Sequence, residues 1–172
     1  MPTSTKDFDA EALYQDLLAQ VRPGLANVPD AAIVGIHSGG AWLAERLAAD
    51  LGLQARLGSI DVSFYRDDYA KKGLHPDVKP THIGFNVDRA TIVLVDDVLY
   101  TGRTTRAAIN VLFDYGRPSR IMLAALADRG GRELPVAADF VALTVALDEG
   151  ESLALARSPE GQFSLTIEKD HA

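Results

Sequence analysis

Two adjacent carboxylates, followed by a short segment of threonine and glycine, are the residues of this sequence best suited to chemistry. The segment reads Thr91-Ile-Val-Leu-Val-Asp-Asp-Val-Leu-Tyr-Thr-Gly-Arg-Thr104, in which Asp96 and Asp97 end an apolar run. Paired carboxylates can accept hydrogen bonds from two neighbouring sugar hydroxyls or help to hold a hydrated Mg²⁺. The amides of a helix that begins just beyond them would attract a phosphate. The spacing therefore predicts a sugar-phosphate site.

The flanking residues predict the elements that position this chemistry. The continuous run Ile92 to Val95 is typical of a strand covered on both faces in a parallel sheet. Asp96 and Asp97 would then lie at its carboxyl end, where open α/β sheets bind their ligands. A helix is predicted to start near Thr104, so that the amides of residues 101–104 point outward from its positive end. The apolar face of that helix has i, i+3, i+4, i+7 spacing, from Ala108, Val111, Leu112 and Tyr115.

A simpler interpretation of this segment is a strand, a polar turn and a helix capped by threonine, since threonine caps are common. The motif is more constrained than that interpretation requires. Its five fixed positions would occur by chance in a chain of this size about once in ten thousand sequences. A Walker A loop is excluded because Arg103 stands where the lysine would be.

The remaining pattern predicts a doubly wound, mainly parallel α/β sheet flanked by helices, within one domain spanning residues 1–172. Strands and helices alternate along the chain, and Gly39-Gly40 opens a second strand-loop-helix unit. A polar stretch at about 65–82, interrupted by prolines, suits a mobile lid over the carboxyl edge of the sheet. The other predicted elements are a helix from about Phe8 to Val21 ended by Pro23-Gly24, and strands at Ala31 to Ile36, Arg56 to Phe64, Arg120 to Ala127, Phe140 to Val145 and Phe163 to Ile167.

The composition limits the classes of function. The 172 residues include no cysteine, which excludes disulfides and thiolate chemistry. No run approaches the ~20 apolar residues of a membrane span, and the first residues lack the apolar core of a signal peptide, so a cytoplasmic protein without a membrane partner is expected. The formal net charge of −7 opposes nonspecific attraction to nucleic acid.

Four further segments, taken with the central motif, resemble the type I phosphoribosyltransferases. Within that family the chain resembles the bifunctional pyrimidine operon regulators that are also uracil phosphoribosyltransferases. The resemblance runs from about residue 10 to about residue 168. The segments are Gly35-Ile-His-Ser-Gly-Gly40, Asp61-Val-Ser-Phe-Tyr-Arg-Asp-Asp68, Phe113-Asp-Tyr-Gly-Arg-Pro118 and Asp128-Arg-Gly-Gly-Arg-Glu-Leu-Pro135.

This resemblance implies a role for individual residues. Catalysis would involve Asp96, Asp97 and Arg66, and the uracil pocket would include Asp128 and Arg129. Mg²⁺ would be held mainly by phosphoribosyl diphosphate (PRPP), with Asp96 or Asp97 as a candidate ligand. The residues implied in binding PRPP and its phosphates are Ser38, Gly39, Asp96, Asp97, Val98, Leu99, Tyr100, Thr101, Gly102, Arg103 and Thr104.

The segment Gly35 to Gly40 departs from the family pattern. Well-known members carry Thr-Arg where this chain has Ser38-Gly39, so a guanidinium contact to pyrophosphate is missing. His37 could supply only a partial positive charge, and Arg66 in the lid could replace the missing one.

Several functions remain open at the level of sequence. The first is uracil phosphoribosyltransferase, with uracil and PRPP as substrates and UMP as product. The second is an RNA-binding attenuator with vestigial catalysis, whose partner would be a pyrimidine operon leader RNA and whose basic face would be completed in a homo-oligomer. The third is transfer to another base, although the lack of an acidic residue at Tyr100 argues against a purine. The candidate RNA contacts are scattered: Arg117, Arg120, Arg129, Arg132 and Arg157.

Overall fold

The computed structural model of the chain describes residues 7–62 and 81–169. Almost all of the predicted lid, including Arg66 and the segment Tyr65-Arg-Asp-Asp68, lies outside the described residues. The fold that follows is that of the two described ranges.

A six-stranded sheet forms the centre of the protein, in the order β4-β3-β2-β5-β6-β7. Each pairing in it is parallel except that of β3 with β4. The chain first moves from β2 outward to β3, and then resumes on the other side of β2 with β5, β6 and β7. The strand order therefore reverses between β2 and β5. These strands are β2 (Ala31–Ile36), β3 (Leu57–Ile60), β4 (His82–Ile83), β5 (Thr91–Leu99), β6 (Arg120–Asp128) and β7 (Phe140–Thr144).

Helices cover both faces of this sheet, as predicted for a doubly wound fold. Successive residues of a strand point to opposite faces, so Ile33 and Val93 pack in one core and Val34 and Leu94 in the other. The first core includes the buried faces of α1 (Ala10–Leu25) and α2 (Gly39–Leu51). The second includes the buried face of α3 (Arg103–Tyr115).

A second, three-stranded antiparallel sheet has the order β1-β9-β8 and packs on α1 and α2. Arg46 of α2 holds it there, since its guanidinium bonds to Glu11 Oε2 at 2.6 Å and to the carbonyl of Gly161, and lies 4.0 Å from the ring centroid of Phe163. The sequence did not reveal β8, because its alternating alanines are weak strand formers. The strands are β1 (Asp7–Phe8), β8 (Glu151–Arg157) and β9 (Phe163–Lys169).

Several predicted boundaries are wrong. Helix α1 does not stop before Pro23 but contains it and ends at Leu25. Proline lacks the N–H of one helix hydrogen bond and crowds the carbonyl four residues before it, but the helix continues because Leu25 beyond it is buried in the core. The strand predicted at Arg56 to Phe64 is shorter at both ends, since Arg56 belongs to a 3₁₀ turn and β3 spans only Leu57–Ile60.

We expect Val93→Ala to lower the free energy of unfolding by about 1 to 3 kcal/mol. Val93 lies in the middle of β5 with no exposed surface, so truncation removes buried methyl groups and leaves a cavity. Thermal unfolding measures the effect. An unchanged melting temperature would contradict the packing described for this strand.

Candidate active site

Strand β5 is longer than the sequence predicted, and this places the two carboxylates within a strand. The apolar run ends at Val95, but β5 continues to Leu99 because it still pairs with β6 through Leu99 and Asp128. Its pairing with β2 stops at Val95. Asp96 and Asp97 therefore lie where β2 has ended, at the carboxyl edge beside the reversal of strand order. In open α/β sheets this crevice is where ligands bind.

The two carboxylates have different environments. Asp96 is only 4% exposed, and its Oδ1 accepts a hydrogen bond of 2.8 Å from the backbone N–H of Asp97. Asp97 is half-buried, and its Oδ1 accepts from the N–H of Val98 at 2.9 Å. These local bonds hold both side chains. They leave Asp97 as the more accessible carboxylate at this edge.

The loop between β2 and α2 lies directly against Asp97. A Cβ added to Gly39 would lie 2.5 Å from Asp97 Oδ2, and one added to Gly40 would collide with the carbonyl oxygen of Val95. Only glycine allows the start of α2 to approach β5 this closely. Ser38 is exposed just before α2, and the peptide bond between His37 and Ser38 is cis. The sequence predicted a glycine loop here but not its contact with Asp97.

The phosphate loop, which we define as residues 100–104, comprises the turn after β5 and the first two residues of α3. Helix α3 starts at Arg103, within one residue of the predicted start, and Gly102 precedes it with a φ of +93°. Thr101 is buried, and its Oγ1 accepts from the N–H of Arg103 at 3.2 Å. Thr104 lies in the first turn of the helix and is half-buried. The start of α3 therefore lies at the same edge of the sheet as the two carboxylates, and its N-terminal amides suit a phosphate.

A second loop packs over the phosphate loop. We call residues 129–136, which follow β6, the β6 loop. In this loop, the backbone N–H of Arg129 donates to the carbonyl of Leu99. The backbone N–H groups of Glu133 and Leu134 both donate to the carbonyl of Thr101. Arg103 forms a salt bridge with Glu133 at 3.1 Å, but both side chains are half-exposed, so the pair contributes little to stability.

Asp128 and Arg129, the predicted uracil-binding residues, differ in their surroundings. The carboxylate of Asp128 accepts from Arg132 Nη2 at 2.5 Å and from the N–H of Gly130 at 2.9 Å. Arg129 instead places its guanidinium 3.9 Å from the ring centroid of Tyr100, a cation–π contact. Asp128 therefore holds the start of the β6 loop, and Arg129 contacts the exposed ring of Tyr100 in the phosphate loop.

The pKa of Asp128 reflects its bonds. Partial burial acts to raise this pKa, but the hydrogen bond and charge of Arg132 and the N–H of Gly130 bring it below its usual value of 3.8. A carboxyl group with a depressed pKa stabilises the fold above its unfolded pKa and loses that contribution as the pH falls through its folded pKa. The stabilisation by Asp128 should therefore be complete near neutral pH and disappear below about pH 4.

We accordingly expect Asp128→Asn to unfold at a lower temperature than the wild type near pH 6, and the difference to shrink as the pH falls below about 4. Thermal unfolding of both proteins across this range measures the effect. A difference that stays constant over the whole range would contradict the ionised pair of Asp128 with Arg132.

The candidate RNA-binding arginines do not share a surface. Arg120 begins β6 and Arg129 follows its end, so roughly 25 Å of strand separates them. Arg157 lies on β8 in a 3.0 Å salt bridge with Glu45. Arg132 is occupied by hydrogen bonds inside the β6 loop. Sequence reasoning assigned Arg132 to the surface and missed its place beside the phosphate loop.

The described ranges contain neither a cluster of metal ligands nor a membrane-spanning helix. No group of three or more His, Cys, Asp or Glu side chains in residues 7–62 and 81–169 is arranged to hold a metal ion. In the same residues no helix has the length and apolar character needed to cross a membrane.

Comparison with known proteins adds to this geometry. The family model described as "Phosphoribosyl transferase domain" matches residues 6–150. A bifunctional protein PyrR from Ralstonia nicotianae is 53% identical over 170 residues, covering 96% of this chain and 97% of the relative. A bifunctional protein PyrR from Nitrosococcus oceani is 45% identical over 164 residues, covering 92% of each chain.

A solved structure has a similar fold. The purine phosphoribosyltransferase from Pyrococcus horikoshii superposes with a TM-score of 0.60 and 28% identity, over 80% of this chain and 83% of that one.

Proposed function

Because this chain belongs to the phosphoribosyltransferase family, we propose that it transfers the phosphoribosyl group of PRPP to uracil, giving UMP and pyrophosphate. One observation carries the proposal: Asp96, Asp97, the phosphate loop and Gly39 meet at one edge of the sheet, at the reversal of strand order. Relatives of about half identical sequence, named bifunctional protein PyrR, match nearly the whole chain. The enzyme class, phosphoribosyltransferase, follows from the family itself.

The two carboxylates would act on the ribose. Breaking the bond between the anomeric carbon and pyrophosphate develops positive charge on the ribose ring, so catalysis depends on position and electrostatics. Asp97, the accessible member of the pair, would accept hydrogen bonds from the ribose hydroxyls. Asp96 would add negative charge from a buried position, where charges are weakly screened. Together they would favour the cationic transition state.

The phosphates would bind on either side of these carboxylates. The amides at the start of α3, with Thr101 and Thr104, suit the 5′-phosphate because they combine N–H donors with the positive end of the helix. The loop at Ser38 and Gly39 suits pyrophosphate, since a side chain at Gly39 would fill the space. Arg66 would add a positive charge, but it lies outside the described residues.

The residues present fit a magnesium ion that arrives with PRPP. Mg²⁺ is commonly bound through one or two carboxylates together with substrate phosphates. Asp97, the more accessible carboxylate, or Asp96 beside it could provide such a ligand. When bound, the metal would neutralise charge on the departing pyrophosphate.

A base screen tests this function directly. The purified protein is assayed with PRPP and Mg²⁺ against uracil, orotate, hypoxanthine, guanine and adenine. We expect turnover with uracil and none with the purines, because Tyr100 offers no acidic group to a purine. Turnover of a purine but not of uracil would overturn the assignment.

A second candidate function is RNA binding, which the resemblance to pyrimidine operon regulators implies; the relatives' printed name, "bifunctional", is compatible with a second function of some kind. We propose that a pyrimidine operon leader RNA binds a face that a second copy of the chain completes. Arg117 and Arg120 are exposed near the start of β6, and neither forms an ion pair with another residue in the described part of the chain. They lie at the edge of the sheet opposite the carboxylates.

If these two arginines contact phosphates, Arg117→Ala and Arg120→Ala should each weaken binding to RNA of any sequence, because phosphate contacts carry no sequence information. On single-stranded RNA, each lost contact should reduce the slope of log K against log salt concentration by about 0.7. A filter-binding titration of the leader RNA in the presence of UMP measures this. An unchanged salt slope in both variants would remove this edge from the RNA-binding surface.

A further inference from the structure

We propose that Arg132 is a positioning residue that fixes the phosphate loop for PRPP binding. This inference rests on the proposed function in one respect, namely that the 5′-phosphate binds at residues 100–104. It assigns a role to a side chain that the motif itself does not include, and it derives from the contacts of the guanidinium group.

The guanidinium of Arg132 joins three segments of the chain. Its Nε donates to the carbonyl of Val136 at 2.7 Å, its Nη1 to the carbonyl of Tyr100 at 2.8 Å, and its Nη2 to Asp128 Oδ2 at 2.5 Å. The side chain is 24% exposed, so these bonds are partly shielded from water. One cation therefore holds the end of β6, the far end of the β6 loop and the phosphate loop.

The bond to Tyr100 matters most for the phosphate loop. A peptide unit is planar and trans, so its N–H points away from its carbonyl. The carbonyl of Tyr100 and the N–H of Thr101 belong to the same unit. By holding that carbonyl, Arg132 fixes the direction of the Thr101 N–H at the entrance to the phosphate loop.

The neighbouring contacts leave this peptide unit little freedom to rotate while Arg132 is in place. The carbonyl of Thr101 accepts from the N–H groups of Glu133 and Leu134. The ring of Tyr100 lies between the guanidinium of Arg129 and Gly131, where a Cβ would come within 2.5 Å of the ring. Without Arg132, the β6 loop loses one of its two bonds to Asp128, keeping only that of the Gly130 N–H, and the carbonyl of Tyr100 loses a donor. The phosphate loop would then sample other conformations.

The geometry requires arginine rather than any cation. A planar guanidinium presents donors in a fixed fork and can serve three acceptors in different directions, whereas a lysine ammonium is a compact point charge on a flexible stem. Lysine at this position could keep the ion pair with Asp128 but not all three bonds. An intermediate effect is therefore expected for Arg132→Lys.

Arg46 provides a matched control. Its side chain is 25% exposed, it forms a 2.6 Å ion pair with Glu11, and it donates to the backbone carbonyl of Gly161. It thus resembles Arg132 in exposure and bonding, but it joins α1, α2 and the small sheet away from the phosphate loop. A general loss of stability should weaken PRPP binding in variants of both Arg46 and Arg132. A loss of positioning should weaken it only in variants of Arg132.

The experiment compares Arg132→Gln, Arg132→Lys and Arg46→Gln with the wild type. Titration calorimetry with PRPP and Mg²⁺ gives the dissociation constant, steady-state kinetics give kcat and KM, and thermal unfolding gives Tm. We expect Arg132→Gln to bind PRPP at least tenfold more weakly, Arg132→Lys severalfold more weakly, and Arg46→Gln normally despite a lower Tm. If Arg132→Gln does not fold, Arg132→Lys carries the test.

Two outcomes overturn the proposal. One is wild-type affinity for PRPP in a folded Arg132 variant. The other is an equal loss of affinity in Arg46→Gln at an equal loss of Tm, which would mean a purely structural role. A wild type that binds PRPP but does not transfer to uracil would overturn the proposed base while the Arg132 comparison still stands. A wild type that binds no PRPP would overturn both.

Discussion

Asp96→Asn and Asp97→Asn will each reduce the rate of phosphoribosyl transfer by about 10²- to 10³-fold while the protein stays folded. Asparagine keeps the size of aspartate and an oxygen that can accept from the backbone N–H groups of Asp97 and Val98. It removes the negative charge that would favour a cationic ribose. Steady-state kinetics with PRPP and uracil measure the loss, and circular dichroism measures the fold.

Asp88→Asn is the control for this pair. Asp88 also accepts a backbone hydrogen bond, from the N–H of Arg117 at 2.8 Å, but it precedes β5 at the opposite edge of the sheet. We expect its activity to be normal. Near-normal turnover in both Asp96→Asn and Asp97→Asn would exclude these carboxylates from catalysis.

Gly39→Ala should produce the second large effect, a loss of activity on the order of 100-fold with a smaller loss of stability. The new Cβ would lie 2.5 Å from Asp97 Oδ2 and 2.9 Å from Asp97 Cβ, so the carboxylate must move. A displacement of about 1 Å at a reacting site can cost on the order of 100-fold in rate. Overpacking itself typically costs ~1 to 3 kcal/mol of stability.

Gly84→Ala provides the comparison, since its Cβ would meet only the side chain of His82, at the ordinary contact distance of 3.5 Å. Kinetics and thermal unfolding of both variants separate the two effects. Normal kcat and KM in Gly39→Ala would show that the loop between β2 and α2 does not constrain Asp97.

Elements with a strong local pattern were predicted well. Strand β2 has the predicted bounds, Ala31–Ile36, because a short apolar run lies between turn residues. Helix α3 starts within one residue of its prediction, because Gly102 and the apolar spacing mark its first turn. The helix prediction failed at Pro23, where burial of the residue beyond the proline outweighed its local preference.

The position of the candidate site was predicted in part, because it too depends on a local apolar pattern. The apolar run before Asp96 identified the correct edge of the sheet, but it could not predict that β5 continues to Leu99. That continuation depends on pairing with β6, whose residues lie about thirty positions later in the chain. The roles of Arg66 and of the predicted lid stay predictions.

By itself, the sequence determined the alternation of strands and helices, the carboxylate pair directly after the apolar part of β5 and the turn that leads into α3, because each depends on neighbouring residues. Only the tertiary structure decided that Gly39 touches Asp97 and that Arg132 bonds to Tyr100. The first contact requires β2 and β5 to be adjacent, and the second requires the β6 loop to fold back over the phosphate loop. Both join residues far apart in the chain, so the order of strands in the sheet, rather than any local preference, creates them.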